Sequence, residues 1–159
     1  MATIVLGIDP GIADTGYGVI EIEKNNLNCL EFGSIKTSPQ ETFSARLLKL
    51  EQELQRLVDK YKPNLASVEK LFFNSNVKTA MTVSQARGIA LLVIERNNIK
   101  LVEFTPLQIK QSVCNFGRAD KNQVKKMVKL ILNIKEQIKS DDSADALAAA
   151  ICASTCRFN

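Results

Sequence analysis

Apolar and polar positions along this chain follow two periods, and each period predicts one kind of secondary structure. Short apolar runs and stretches with a period of two are typical of strands. The first run stops at Asp9, because Pro10-Gly11 cannot continue a central strand. Five strands are predicted, at Thr3–Asp9, Gly18–Glu23, Asn28–Thr37, Leu65–Val68 with Glu69 at its end, and Lys100–Phe104.

Apolar residues spaced three and four apart predict the helices. Ser38-Pro39-Gln40-Glu41 has the composition of a capping box with proline in the first turn, and predicts the start of a long helix that ends before Pro63. Thr105 and Gln108 form the same pattern ahead of a short helix. Three further helices are predicted, at about Val77–Asn97, from about Lys121, and from Ser140-Asp141-Asp142 to about Thr155.

The order of these elements predicts an α/β fold. The first three strands follow one another as antiparallel strands do, whereas the last two alternate with helices, so we expect a mixed five-stranded sheet flanked by helices. The chain has 159 residues without repeats, low-complexity tracts or a linker. We therefore expect one domain over residues 1–159.

Composition narrows the possible chemistry. The chain has no histidine, which excludes Ser-His-Asp and Cys-His triads and histidine-based zinc sites. Its four cysteines contain no C-x-x-C pair, as expected of small buried side chains in a reducing cytosol. Catalysis must then use carboxylates, lysines or hydroxyls, and carboxylates favour Mg²⁺ or Mn²⁺. No secretory signal or membrane span is apparent, so we expect a cytoplasmic protein.

Positive charge is concentrated in one segment. Residues 100–139 contain nine basic and three acidic residues, a net charge of +6, so the rest carries −2 of the total of +4. A basic segment beside acidic strand ends suits a protein that acts on phosphodiesters. Lysine-rich helices are also common as solvated faces.

Four carboxylates stand at positions where α/β proteins bind ligands. Asp9 and Glu69 end two strands, while Asp142 and Asp145 are three residues apart and therefore share one face of the last helix. If these elements converge, the like charges need a counter-charge. Two divalent cations roughly 3.5–4 Å apart are the usual solution, and they catalyse attack of water on a phosphodiester.

Each carboxylate also has a simpler interpretation. Asp9 before Pro-Gly is typical of a turn, and Glu69 can be an exposed charge at a strand end. Asp142 and Asp145 can complement the helix dipole in the first turns of their helix. Spacing alone does not decide between these interpretations and a shared site.

Four motifs together resemble one family. They are G-I-D-P-G with T-G-Y-G, V-E-K-L-F, Q-A-R-G and D-S-A-D-A-L-A-A-A-I, and they occur in the family's order between about Ile4 and Cys152. The chain is thus similar to the RuvC crossover junction endodeoxyribonucleases, bacterial Holliday junction resolvases with a ribonuclease H-like fold. This resemblance implies a structure-selective endonuclease that nicks four-way DNA junctions in recombination and repair.

The resemblance implies roles for the four carboxylates. Asp9 matches the central metal-binding aspartate, Glu69 the second catalytic carboxylate, and Asp142 and Asp145 the acidic pair of the last helix. The family's D-x-x-D-A-L pattern selects Asp142 and leaves Asp141 as a charge at the helix start. Magnesium, two ions per site with manganese as a possible substitute, is the implied cofactor. The implied partners are junction DNA, a second copy of the chain and the RuvA–RuvB branch-migration complex.

The resemblance also implies DNA contacts. Phe72 matches an aromatic residue that the family uses against bases near the crossover, and Phe73 either shares that contact or belongs to the core. Lys110 and Lys121 match basic residues near the bound junction, and Arg118 lies in the loop between their helices. We expect these three residues to bind phosphates.

Other candidate residues stay open. Lys125, Lys126 and Lys129 are equally well explained by a solvated helix face. Arg87 in Q-A-R-G either contacts DNA or pairs within the helix layer. The small residues around Gln85 suggest the long helix as the dimer interface.

Three other functions agree less well with the sequence. An ATPase or sugar kinase of the actin and Hsp70 type needs two lobes and a second D-x-G loop, which this chain lacks. A silent relative that only binds junctions is disfavoured because all four acids are present. Another ribonuclease H-like nuclease, acting on RNA–DNA hybrids or ribosomal RNA precursors, is disfavoured by Q-A-R-G and Phe72.

Overall fold

The computed structural model describes residues 2–24, 26–70 and 77–156. In this part of the chain five strands form one sheet, β1 (Thr3–Asp9), β2 (Asp14–Glu23), β3 (Asn26–Lys36), β4 (Leu65–Glu69) and β5 (Lys100–Phe104). Their order in the sheet is β3-β2-β1-β4-β5. The central strand β1 pairs with β2 in antiparallel and with β4 in parallel orientation, so the predicted mixed sheet is confirmed.

Helices pack on both faces of this sheet. Their predicted caps are confirmed at Thr105 and Ser140, whose side chains accept hydrogen bonds from backbone N–H groups of the first turn. Asp120 caps the fourth helix in a capping box with Gln123. None of the helices within the described residues is long and apolar enough to cross a membrane. They are α1 (Phe43–Tyr61), α2 (Val77–Arg96), α3 (Pro106–Cys114), α4 (Lys121–Ile131) and α5 (Asp141–Ser154).

The predicted start of the first helix is wrong. The Glu41 N–H donates to the Ser38 carbonyl and the Glu41 carboxylate accepts from the Ser38 N–H at 2.8 Å, so these residues form a turn. The helix begins at Phe43, and Thr42 is its N-cap. Ser38-Pro39-Gln40-Glu41 has capping-box composition, but a second hydroxyl residue stands nearer to the apolar stripe. The cap is therefore Thr42.

The second strand starts earlier than predicted, at Asp14 instead of Gly18. Glycine has a low strand propensity, so the alternation of apolar and polar residues did not predict that Gly16 belongs to the strand. The structure pairs Gly16 with Asp9 and Asp14 with Lys36. This longer strand extends the sheet alongside the end of β1.

The alternation of side chains along each strand divides the core into two layers. Val5 of β1 packs in a cluster with α3, α4 and α5, whereas Leu6 and Ile8 pack with α1 and α2 on the opposite face. Asp9 shares the face of Val5, and Glu69 shares the face of Leu65 on β4. Both strand-end carboxylates therefore belong to the α5 side of the sheet.

One partly exposed network of hydrogen bonds connects α1 to the edge strand β3. Glu31 accepts hydrogen bonds from the hydroxyls of Tyr17 and Tyr61 at 2.9 and 2.6 Å and from Lys60 Nζ at 2.6 Å. Burial opposes ionisation of Glu31, but these hydrogen bonds outweigh it and lower the pKa of its carboxyl group to about 2. The ionised carboxylate therefore stabilises the packing of α1 on the sheet.

We expect Glu31→Gln to destabilise the protein at neutral pH by about 1–3 kcal/mol, because it removes the charge that three donors share. A carboxyl group with a lowered pKa stabilises the fold above its unfolded value of 4.5 and loses this contribution as pH falls towards 2. Urea unfolding at pH 7 and pH 3 measures the effect. The difference between variant and wild type should shrink at pH 3.

Asp59→Asn is the matched control, because Asp59 on α1 pairs with the exposed Lys62 and not with any partner of Glu31 among the described residues. This variant should differ little from the wild type at either pH. An equal loss of stability at both pH values in Glu31→Gln would mean that side-chain shape, not the charge of Glu31, holds α1 in place.

Candidate active site

Two carboxylates lie together because two parallel strands end together. The last pair in register between β1 and β4 is Ile8 with Val68, and the next residues are Asp9 and Glu69. Carboxyl ends of neighbouring parallel strands share one edge of a sheet, and α/β proteins bind ligands there. The strand pairing thus places both acids at the same rim.

Glycines let α5 lie directly on this part of the sheet. A Cβ on Gly16 would overlap the backbone of Asp142, and a Cβ on Gly7 would overlap the backbone of Ala146. Gly16 is also the β2 partner of Asp9. The start of α5 is therefore in contact with the residue beside Asp9, as only a strand without a side chain at that position allows.

Hydrogen bonds from two buried hydroxyl groups fix the position of α5 on the sheet. Ser67 Oγ on β4 donates to the Ala149 carbonyl at 2.7 Å, and Ser143 Oγ donates to the Gly33 carbonyl at 2.8 Å. The alanine-rich sheet side of α5 is almost completely buried. Asp142 and Asp145 consequently lie over the end of β1 and the beginning of β2.

The electrostatics indicate that the four carboxylates lie close to one another. Burial first, and then the charges of Asp145, Asp142 and Glu69 in that order, together raise the pKa of Asp9 to about 7. Burial and neighbouring acids likewise raise the pKa values of Glu69, Asp142 and Asp145. Such a group of repelling carboxylates is a position for a cation.

Two lysines face the carboxylates from α3 and α4. Lys121 lowers the pKa values of Asp9, Asp142 and Asp145, while Lys110 lowers those of Glu69 and Asp145. Their charges therefore partly balance the acidic rim. A cavity of about 200 Å³ separates these elements, and its lining consists of Glu69, Pro106, Ile109, Lys110, Lys121, Val124 and Asp145.

A larger groove of about 730 Å³ opens on the other side of Asp142. It adds Asp14, Lys36 and Lys139, which the sequence analysis does not single out as site residues. One buried oxygen of Asp14 has no hydrogen-bond partner among the described residues, and the charge of Asp14 raises the pKa of Asp142. The alternation of β2 could have indicated Asp14, because it precedes Gly16 by two residues and shares its face.

The remaining predicted residues fall into three groups. Arg118 lies exposed in the loop between α3 and α4 and does not line the cavity of Lys110 and Lys121. Arg87 on α2 forms an ion pair with Glu103 on β5, so its partner lies in the sheet and not in the helix layer. Phe72 and Phe73 lie outside the described residues.

Asp141, at the start of α5, forms ion pairs with α4 that the sequence did not predict. Asp141 binds Lys125 Nζ at 2.5 Å and lies 3.6 Å from Lys121 Nζ. Lys125 is thus engaged between α4 and α5, instead of belonging to a solvated face. The same ion pairs lower the pKa of Asp141, opposite to the shifts of its acidic neighbours.

The donor set fits a hard divalent cation, since it offers carboxylate oxygens in a place where their charges repel. Within residues 2–24, 26–70 and 77–156, no group of three or more acidic or cysteine side chains is placed to hold a metal by itself. Magnesium commonly binds one or two carboxylates and completes its shell with water and substrate phosphates. The arrangement therefore suits an ion that protein and DNA share.

Comparisons with known proteins agree with this geometry. The family model for crossover junction endodeoxyribonuclease RuvC matches residues 5–153. The chain is 52% identical over 131 residues to that enzyme of Ruminiclostridium cellulolyticum, covering 82% of this chain and 79% of the relative. It is 50% identical over 132 residues to that of Finegoldia magna, covering 83% and 80%.

A solved structure is similar over nearly the whole chain. RuvC of T. thermophilus in complex with a Holliday junction substrate superposes with a TM-score of 0.90 and 31% identity, covering 96% of this chain and 93% of that one. The sheet order, the acids at its rim and these similarities lead to one conclusion. The chain belongs to the RuvC family of crossover junction endodeoxyribonucleases.

Proposed function

We propose that this protein resolves four-way DNA junctions by metal-dependent hydrolysis of two phosphodiesters near the crossover. The observation that carries the proposal is the convergence of Asp9, Glu69, Asp142 and Asp145 opposite Lys110 and Lys121. Its relative from T. thermophilus is seen with a Holliday junction substrate. Such resolution serves recombination and repair.

The proposed cofactor is magnesium, two ions per site, with manganese as a substitute. Bound there, the ions supply activation of a water molecule and stabilisation of the leaving 3′-oxygen. Asp9, whose pKa is raised by burial and by the charges of both aspartates of α5 and of Glu69, would be the ligand that the ions share. The products would carry 5′-phosphate and 3′-hydroxyl ends.

The lysines orient the substrate. Lys110 and Lys121 line the same cavity as Glu69 and Asp145. A phosphate that enters this cavity can therefore bind both lysines beside the carboxylates. Phosphate contacts fix the position of DNA but carry no sequence information. Arg118 and Phe72 are proposed as further contacts, to phosphate and base respectively.

The proposed assembly is a homodimer in the cytoplasm. Two copies bring two sites to one junction, which paired nicking of like strands requires. Cooperation with the RuvA–RuvB branch-migration complex is part of the proposal. Sedimentation of the free protein and of its junction complex measures the stoichiometry.

The function is tested by cleavage of a synthetic four-way junction, with a linear duplex of the same sequence as control. We expect paired nicks in the junction with magnesium and none with EDTA. Junction binding without cleavage in several sequences would indicate a silent architectural relative. Cleavage of RNA–DNA hybrids instead would indicate another ribonuclease H-like nuclease.

Lys110→Ala and Lys121→Ala should each weaken junction binding and reduce its salt dependence by about one released counterion. Competition titrations between 50 and 200 mM salt, without magnesium so that no strand is cut, measure the slope. Lys49→Ala is the matched control, because Lys49 is exposed on α1 across the sheet. An unchanged slope in the first two variants would mean that neither lysine contacts phosphate.

A further inference from the structure

The loop between α3 and α4 is held firmly at both ends. Asn115 adopts a left-handed conformation and its N–H donates to the Gln111 carbonyl at 2.9 Å. The Ala119 N–H donates to the Phe116 carbonyl at 3.3 Å, and the Ala119 side chain is buried. Asp120 then starts α4 with a capping box. The backbone of this loop is therefore defined on either side of Phe116.

An apolar patch is exposed on this loop. The side chain of Phe116 is 56% exposed, and that of Leu107 on α3 is 53% exposed. The two are linked through Gly117, since a Cβ on Gly117 would overlap the Leu107 side chain. Single exposed apolar residues are common. An exposed aromatic side chain on an anchored loop, near a second exposed apolar side chain, is instead typical of a contact surface.

Positive charge surrounds this patch. Arg118 follows Phe116 by two residues, Lys110 lies one helical turn after Leu107, and Lys121 begins the next helix. Lys110 and Lys121 also line the cavity that contains Glu69 and Asp145. The patch is therefore connected through α3 and α4 to two residues that line the candidate active site.

We propose that Phe116 is a positioning residue that stacks on a nucleobase of the junction DNA, while Arg118 binds a neighbouring phosphate. Aromatic side chains flanked by cations are the usual platform for unstacked bases. The centre of a four-way junction interrupts base stacking, which leaves base faces available. Charge complementarity favours DNA over a protein as the occupant. This inference rests on the proposed junction-resolving function.

Phe116→Ala should weaken binding of a four-way junction roughly 5- to 150-fold, the usual effect of losing one base–aromatic stack. Its salt slope should stay that of the wild type, because a neutral side chain releases no counterion, whereas Arg118→Ala should lower the slope by about one. Leu130→Ala is the matched control, because Leu130 is 73% exposed on α4. We expect the control to bind as the wild type does.

A fluorescence measurement tests the stacking directly. The chain contains no tryptophan, so Phe116→Trp introduces a single indole. Addition of a four-way junction without magnesium should quench its emission, and a linear duplex should quench it less. Leu130→Trp, the control, should change little with either DNA.

The outcomes separate this inference from the proposed function. If wild-type protein binds junction and duplex equally weakly, the proposed function fails. If wild-type protein binds the junction but Phe116→Ala binds equally well and Phe116→Trp is not quenched, only the inference fails. If Phe116→Ala instead reduces dimer formation in sedimentation and leaves DNA binding unchanged, a second copy covers the patch and the inference is overturned.

Discussion

Asp9→Asn is expected to lower cleavage of a four-way junction at least about 1,000-fold, about 4 kcal/mol in activation free energy, without weakening junction binding. Burial and the charges of the other three carboxylates all raise the pKa of Asp9, so Asp9 is the residue we propose as the shared ligand of the metal ions. An amide keeps its shape but removes the charge. Single-turnover cleavage with magnesium and binding without it measure the two effects separately.

The stability of Asp9→Asn serves as the internal control. In the wild type without metal, burial and three neighbouring acids raise the pKa of Asp9 from 3.8 to about 7. A raised carboxyl pKa means that stability declines as pH rises through this window, because the unfolded state releases its proton first. The variant should therefore unfold at a higher temperature than the wild type at pH 8 without metal. Lower stability together with lost cleavage would mean that the variant is misfolded, and retained cleavage would refute the assignment of Asp9.

Gly16→Ala is expected to reduce cleavage about 100-fold, although no functional group is removed. The added methyl group would overlap the Asp142 backbone, so the start of α5 must move away from Asp9. A displacement of about 1 Å at a reacting centre is sufficient for a loss of that size. Overpacking should also lower the free energy of unfolding by about 1–3 kcal/mol.

Gly88→Ala is the matched control in the unfolding experiment. Gly88 lies on α2, and among the described residues no atom outside its own stretch of helix lies within 4 Å of an added Cβ. This substitution should raise stability by about 0.5–1 kcal/mol, as alanine does within helices. If Gly16→Ala cleaves and unfolds as the wild type does, the close approach of α5 to β2 does not position Asp142.

Strong local signals made most of the fold predictable. The boundaries of β1 and β5 and the caps at Thr105 and Ser140 depend on a few adjacent residues, and all were predicted correctly. The start of α1 was not, because Ser38 and Thr42 both offer capping hydroxyls and only tertiary packing selects between them. The early start of β2 was missed for a related reason, since glycine has weak strand propensity.

The candidate site was predictable in its residue types and less so in its surroundings. Strand ends and helix spacing indicated Asp9, Glu69, Asp142 and Asp145, and the structure brings all four to one rim. Asp14 was missed because the predicted second strand starts only at Gly18, although the alternation along β2 places Asp14 on the face of Gly16. Ion pairing of Asp141 with Lys125 joins elements whose packing the sequence alone does not specify.

The docking of α5 has a consequence for when the enzyme can act during its synthesis. This helix contributes Asp142 and Asp145, and its Ser143 reaches Gly33, a residue 110 positions earlier in the chain. A nascent chain that has emerged only as far as β5 holds Asp9 and Glu69 but neither aspartate of α5. Contacts of such long range form late in folding. We therefore expect a ribosome-bound chain to cut no DNA until α5 has left the exit tunnel, because the proposed site lacks both of these aspartates until then.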